Sequence, residues 1–403
     1  MKKKSIAFLV TAAVFLSGCS ASPDESAFTE APIFETESAA LTEAETGETV
    51  SKNEEKDPPE IVSLPAPENK EPPPVPESEV SVTEFTGIPL SENLGESFNL
   101  NSKDWGYHPI CFDSGKVYFS NPKDRQYLYV YDGEESNCLA ELPANALNFY
   151  DNKIYFISDG KAIDPYDYID HEGFLFSYDL ESEELTRLTD FYITQPLYVS
   201  SEGIFYFHIS EETKGTIYKL DEGFDEITPL YNSFCILNYN GFHYNVVTSD
   251  SDGLTYLCLS DGENNYVLNE ASDATGYPRD ECIANGKFYF RRQGMKSLTS
   301  IDLKDGTVFE FPVNPKFPFS DYTVFSGTEY VARQDGLCEF KDGRFVKYEK
   351  KEPLVTIERL YSGPDSIYAL IEGMDGPNDW DLAEIVFSTD EEGNPAYGFN
   401  RIT

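Results

Sequence analysis

Basic residues, tryptophan, histidine and helical stripes are what this chain has least of. Against 72 acids stand only 30 lysines and arginines, giving a formal charge of −42. So acidic a surface repels phosphate, which excludes nucleic acid as a partner. The four histidines, His108, His171, His208 and His243, are scattered without metal-ligand spacing. No Gly-x-Ser-x-Gly elbow and no phosphate-cradling glycine loop occurs. Acid clusters at Asp164, Asp167, Asp170, Glu172 and at Asp250, Asp252 lack the closing glutamate of a calcium loop and read as solvated turns. No cofactor and no metal are expected. No segment repeats its apolar residues at the helical period, and nothing beyond the leader is apolar for the ~20 residues that a membrane-spanning helix needs.

The leader has its own grammar. Lys2, Lys3 and Lys4 precede a mostly apolar run from Ile6 to Leu16, and Ser17 and Gly18 stand just before Cys19. A basic start, a short apolar run and small residues at a cut site describe a signal peptide over residues 1–18. Leu16-Ser17-Gly18-Cys19 resembles a bacterial lipobox, which implies a diacylglyceryl group on Cys19, cleavage before it, and a location on the outer side of the cell membrane. The membrane is thereby one expected partner, held through lipid alone.

Residues 19–95 read as a linker. From Ser20 to about Glu84 the chain is Glu, Ser, Thr, Ala and Pro with few aromatics, and such a stretch buries too little apolar surface to offset its ordering entropy. The prolines from Pro58 to Pro76 favour extended polyproline conformation, so the linker is expected to be a disordered, stiffened spacer.

What is abundant is tyrosine and phenylalanine, 27 and 29 of them, placed in a repeat. Gly115-Lys116-Val117-Tyr118-Phe119 leads to Tyr127-Leu128-Tyr129-Val130-Tyr131-Asp132. Asn152 to Phe156 leads to Phe174 to Asp179, and Gly203 to Phe207 leads to Ile217 to Asp221. Gly241 to Tyr244 leads to Tyr256 to Leu259, and Gly286 to Phe290 leads to Ile301 and Asp302. Weaker copies run from Tyr330 to Phe340 and from Ile367 to Phe387. The mean spacing is ~42 residues, inside the range of propeller blades and outside that of leucine-rich repeats. An extra strand fits upstream of each turn. The fold expected for 96–403 is an all-β propeller of seven four-stranded blades, or six if the Tyr330–Phe340 copy belongs to a neighbour. The unit resembles the tyrosine-rich propellers of Gram-positive surface lipoproteins, a likeness that implies fold and location and supplies no catalytic residues. Tryptophan-aspartate repeats and paired kelch glycines are absent, and two tryptophans are too few for a quinoprotein dehydrogenase.

Loop length separates the two faces of such a disc. The turns between first and second strands, and most between third and fourth, are tight. Long links run over Asp159–Glu172, Asn269–Asp280 and Glu372–Trp380, and in a propeller all three belong to one face. Rigid scaffolds present binding residues on such loops. That face is expected to gather Tyr166, Asp167, Tyr168, Asp170, Tyr277, Arg279, Arg291, Arg292, Asp375 and Trp380. Aromatics with arginine suit a glycan, peptide or protein ligand. Tyr166, Tyr168, Tyr277, Arg279, Arg291, Arg292 and Trp380 are the candidate ligand residues, in a monomer with no catalytic residue assigned. The rival expectation is a lyase or glycan hydrolase with acidic groups at the channel mouth.

Six cysteines follow Cys19: Cys111, Cys138, Cys235, Cys258, Cys282 and Cys338. Strand order separates most pairs beyond the ~7 Å reach of a disulfide, leaving Cys235 with Cys282 on adjacent first strands. The rest are expected to be buried free thiols.

Overall fold

The computed structural model describes residues 64–68, 70, 73, 82–84 and 87, and most of 109–403. Segments 163–171, 209–215, 233–237, 249–253, 261–263, 272–277, 293–297, 313–318 and 374–378, with some single or paired positions, fall outside that description. The chain divides into two compact units between Pro58 and Pro59. All of the described structure lies in the second.

That unit is a seven-bladed β-propeller, seven small sheets in a ring, each built on four antiparallel strands. Strands are called A to D from the axis outward. Blade 1 is Ile110–Asp113, Lys116–Asn121, Tyr127–Tyr131 and Ser136–Pro143. Blade 2 is Asn145–Tyr150, Lys153–Ser158, Glu172–Asp179 and Glu184–Arg187, with Ile193–Thr194 also on its C strand. Blade 3 is Leu197–Ser200, Gly203–His208, Thr216–Leu220 and Ile227–Asn232, and blade 4 is Asn238–Tyr239, Phe242–Thr248, Thr255–Ser260 and Asn265–Ala271. Blade 5 is Pro278–Ala284, Lys287–Arg292, Leu298–Asp302 and Val308–Glu310. Blade 6 is Phe319–Phe325, Thr328–Arg333, Gly336–Lys341 and Arg344–Lys347. Blade 7 is Thr356–Ser362, Ile367–Glu372, Trp380–Thr389 and Pro395–Arg401. The faint sixth copy is thus a full blade.

Two turn chemistries set this repeat. Ser114-Gly115, Asp151-Asn152, Asn285-Gly286 and Ser326-Gly327 all have positive φ at both positions, the geometry of a two-residue hairpin whose twist matches the flanking strands. They join A to B in blades 1, 2, 5 and 6. At the C to D turn an aspartate does the work: the Asp132 carboxylate accepts from the N–H groups of Glu134 and Glu135, and Asp179 accepts from those of Glu181 and Ser182. Asp302 and Asp390 do the same for Lys304, Glu392 and Asn394. That is why Asp recurs at the end of the third strand.

Blades pack on both faces, so their strands are apolar on both sides. Buried clusters join blades 1 and 2, 2 and 3, 5 and 6, and 6 and 7. Ring closure uses a fifth cluster: Ile110, Phe112, Val117 and Phe119 of blade 1 pack on Tyr361, Leu370, Trp380, Leu382 and Ile402 of the last. No strand is shared between the two sheets. The Ser136 hydroxyl donates to the Ile402 carbonyl at 2.5 Å across the same seam.

Two expectations are corrected. The linker is not structureless up to Glu84. Leu64 packs on the core of blades 1 and 2, the Glu68 N–H donates to the Asp190 carbonyl at 2.8 Å, and the Lys70 ammonium lies 4.6 Å from the centre of the Phe191 ring. Val82–Glu84 is a fifth, parallel strand on the outer edge of blade 4, pairing with Asn265, Tyr266 and Val267. A Cβ on Gly87 would lie 2.0 Å from the Lys304 carbonyl oxygen, so the chain passes blade 5 at a distance only glycine allows. Contacts with the propeller therefore reach upstream of residue 96, as far as Leu64. The second correction concerns cysteine: Cys138, expected to be buried, is exposed, while Cys282 is buried and its expected partner Cys235 lies outside the described residues. Cys111, Cys258 and Cys338 are buried and free. Burial pushes the Cys258 thiol up to about 12 and that of Cys338 to about 11, which keeps both protonated and unreactive.

Candidate functional site

Because successive strands in each blade run antiparallel, every B to C link and every D to A link opens on the same face. The flanks of the three long links, Ser158 with Glu172, Ala271 with Pro278, and Glu372 with Trp380, therefore share that face. The residues Tyr166, Asp167, Tyr168, Asp170, Tyr277 and Asp375 lie in the middle of those links, outside the described residues.

Blade 5 brings the arginines together. Its A strand starts on the long-link face and its B strand ends there, and the register places Arg279 directly opposite Arg291 and Pro278 opposite Arg292. A bulge between Arg279 and Cys282 interrupts the ladder next to this pair. The Arg291 guanidinium is half-buried, and its Nη1 donates to the Ser320 carbonyl on the A strand of blade 6 at 3.0 Å. Arg291 thus bridges two blades beside the axis.

Several further cations of this face pair with carboxylates. Lys123 pairs with Asp379 and, at 3.5 Å, with Asp381. Arg333 makes two bonds to Asp335 at 2.9 and 2.8 Å, and this partner draws the Asp335 carboxyl below its ordinary value against the opposing effect of burial. Arg401 reaches Glu352 at 2.7 Å and Asp381 at 3.3 Å. Among the described residues no group of three or more His, Cys, Asp or Glu could hold a metal ion.

Trp380 is not an exposed loop residue. It is the first residue of the C strand of blade 7, opposite Glu372, and is 3 % exposed within the closure cluster. A residue that starts a strand in a blade packed on both faces is drawn inward, so its ring serves closure and not ligand contact.

A further set escaped the sequence reading, namely polar side chains that tie inner strands together. Asn148 of blade 2 donates to the Leu197 carbonyl of blade 3 at 3.0 Å, the Ser320 hydroxyl of blade 6 donates to the Ile357 carbonyl of blade 7 at 3.4 Å, and the carboxylate of buried Asp321 accepts the Leu360 N–H at 2.6 Å. An A strand has no neighbour on its axial edge, so its backbone groups need such partners.

The fold defines the class: an all-β propeller with its elaborated links on one side. No family model matches the sequence, and no curated protein matches it. Solved structures of similar shape include KlHsv2 with loop 6CD replaced by a Gly-Ser linker, at 12 % identity and TM-score 0.42, covering 74 % of this chain and 98 % of that one. A puromycin-hydrolyzing peptidase of Mycobacterium tuberculosis is 11 % identical at TM-score 0.45, covering 81 % of this chain and 57 % of that one. The extracellular domain of a putative one-component system from B. thetaiotaomicron is 9 % identical at TM-score 0.44, covering 79 % and 45 %.

Proposed function

We propose that the protein is an extracytoplasmic lipoprotein, held to the membrane through Cys19, whose propeller binds an anionic glycan, peptide or protein on the long-link face without turning it over. The observation that carries the binding site is the Arg279–Arg291 register pair, with Arg292 beside it. Like charges directly opposite on adjacent strands are destabilising. A chain of net charge −42 that places three of its few cations at one sheet end gains from that arrangement when an anion sits over it.

The test uses the unlipidated chain, Cys19→Ser, against arrays of uronic-acid glycans and acidic peptides. Wild type is expected to bind, and Arg279→Gln to lose tenfold or more while keeping its melting temperature. Equal binding by both would overturn the site, and cleavage of a bound ligand would overturn the non-catalytic reading. Fatty-acid labelling of wild type and Cys19→Ala tests the anchor separately.

A further inference from the structure

The repeat supplies its own control for surface charge, because the same turn occurs once per blade. Between C and D, blade 1 carries Asp132, Glu134 and Glu135, blade 2 carries Asp179, Glu181, Glu183 and Glu184, and blade 7 carries Asp390, Glu391 and Glu392. Blade 6 reverses the sign with Lys341-Asp342-Gly343-Arg344, and its D strand continues to Lys347, then Lys350 and Lys351. The Glu349–Lys350 pair adds a fifth strand to the outer edge of blade 7, so this basic stretch crosses the rim from one blade to the next. Lys341, Arg344, Lys347 and Lys351 are exposed and Lys350 is half-buried, with Lys347 and burial together drawing the Lys350 ammonium below its ordinary value. Five cations against two acids in residues 341–351 stand out in a chain with 72 acids.

A second observation adjoins the first. Leu354, in the link that follows, is 71 % exposed, the largest exposure among the large apolar side chains described. The turn presenting it is fixed by the Val355 N–H donating to the Glu352 carbonyl, while Glu352 is held by Arg401.

We propose that the stretch from Lys347 through Lys350 and Lys351 to Leu354, on the side where blade 6 hands over to blade 7, rests against the anionic headgroups of the membrane that carries the protein, with Leu354 entering the interface. The proposal rests on the lipoprotein reading for its setting. Cations near an anionic leaflet attract it over about a Debye length, roughly 8 Å at physiological salt, so the acidic turns of blades 1 and 2 are screened at that range, while Asp390, Glu391 and Glu392 of blade 7 oppose the contact on its far side. Attraction of this size is weak for a free protein. A tether raises the local concentration to roughly millimolar, enough for a weak contact to be occupied. An exposed leucine beside lysines is also the pattern of interfacial binding, apolar tip with basic surround.

The experiment separates the rim from the anchor by using full-length mature chain with Cys19→Ser, which carries no lipid. Partition is measured on vesicles of phosphatidylcholine alone and of equal parts phosphatidylglycerol and phosphatidylcholine, at physiological ionic strength, where the acidic remainder of the chain is screened. Binding is expected only to the anionic vesicles. Lys347→Glu with Lys351→Glu is expected to reduce it by tenfold or more, Leu354→Gln by a few fold, and Glu183→Gln on blade 2 not at all, with all variants keeping their unfolding midpoints. Binding that is equal on both vesicle types, or unchanged in the double variant, overturns the proposal. A failure of fatty-acid labelling in cells would remove the anchor and leave the vesicle result standing as measured.

Discussion

Every blade has an inner and an outer edge, and the two are secured differently. At the inner edge the backbone has no fifth strand, and side chains from the preceding blade take its place: Asn148 on Leu197, Ser320 on Ile357, Asp321 on Leu360. At the outer edge the chain itself returns. Val82–Glu84 covers blade 4 and Glu349–Lys350 covers blade 7, both in parallel register. The inner partners are particular side chains fixed by the adjoining blade, whereas the outer edge needs only a passing strand.

The contrast predicts where damage is greatest. Asp321→Ala leaves the Leu360 N–H without its carboxylate in a site where Asp321 is fully buried. Loss of about 1–3 kcal/mol is expected from the unsatisfied donor, read as a lower urea midpoint. An unchanged midpoint would show that the inner edge does not depend on such bonds.

Removing the outer cover should cost less. A chain starting at residue 88 loses the parallel strand on blade 4 and the Leu64, Glu68 and Lys70 contacts, while a chain starting at 59 keeps them. A few solvent-accessible hydrogen bonds net ~1–2 kcal/mol. Hydrogen exchange should quicken in Asn265–Val267 of the shorter chain alone, and equal protection in both would remove the strap from the folded unit.

Smaller again is the aspartate that caps an outer turn. Asp179→Ala removes bonds to Glu181 and Ser182 at an exposed site, and a slight fall in melting temperature is expected, below that of either change above. These backbone donors hold the Asp179 carboxyl below its ordinary value. Its contribution is therefore present above the ordinary carboxylate range and is lost as pH falls through the lowered folded value.

How much of this is written in the sequence follows from the same contrast. Turns are legible because their backbone demands particular residues: Ser114-Gly115, Asn285-Gly286 and the recurring Asp at the end of strand C mark blade after blade. Ring closure is a matter of packing and not of the repeat: Pro395–Arg401 is the outer strand of blade 7, and no strand is shared with blade 1. The strap was hidden because Val82-Thr83-Glu84 is short and lies in an acidic, proline-rich stretch, and an edge strand exists only by virtue of the sheet that it joins. Trp380 misled because blades pack on both faces, so the period-2 alternation that separates inside from outside fades there. Asn148 and Asp321 look like ordinary polar positions in a strand; only the neighbouring blade gives them a partner. Of the long-link face, the shared side of the three links came through; Arg279, Arg291 and Arg292 stand at that end of blade 5, while most of the aromatic candidates lie outside the described residues.

The finest test of inner against outer is electrostatic and turns on His208. It ends the B strand of blade 3 on the long-link face, opposite Thr216, with its ring 6.3 Å from that of Tyr218 in an edge-on contact. Burial lowers its pKa below the ordinary histidine value, and Glu172 of blade 2, acting the other way, only partly offsets this. The unfolded chain therefore takes up the proton at higher pH than the folded one. Stability from this group is complete above about pH 6.5 and is lost as pH falls from there toward the folded value. The capping carboxylates Asp132, Asp179 and Asp390, all lowered, act in a separate and more acidic window. Melting temperature is accordingly expected to drop between pH 7.5 and about 5.5, by a small amount for one half-buried group, and His208→Gln to flatten that slope whatever it does to the absolute value. An equal slope in both proteins would mean that the His208 ring is as well hydrated in the fold as in the unfolded chain, and that the junction of blades 2 and 3 is open to water on this face.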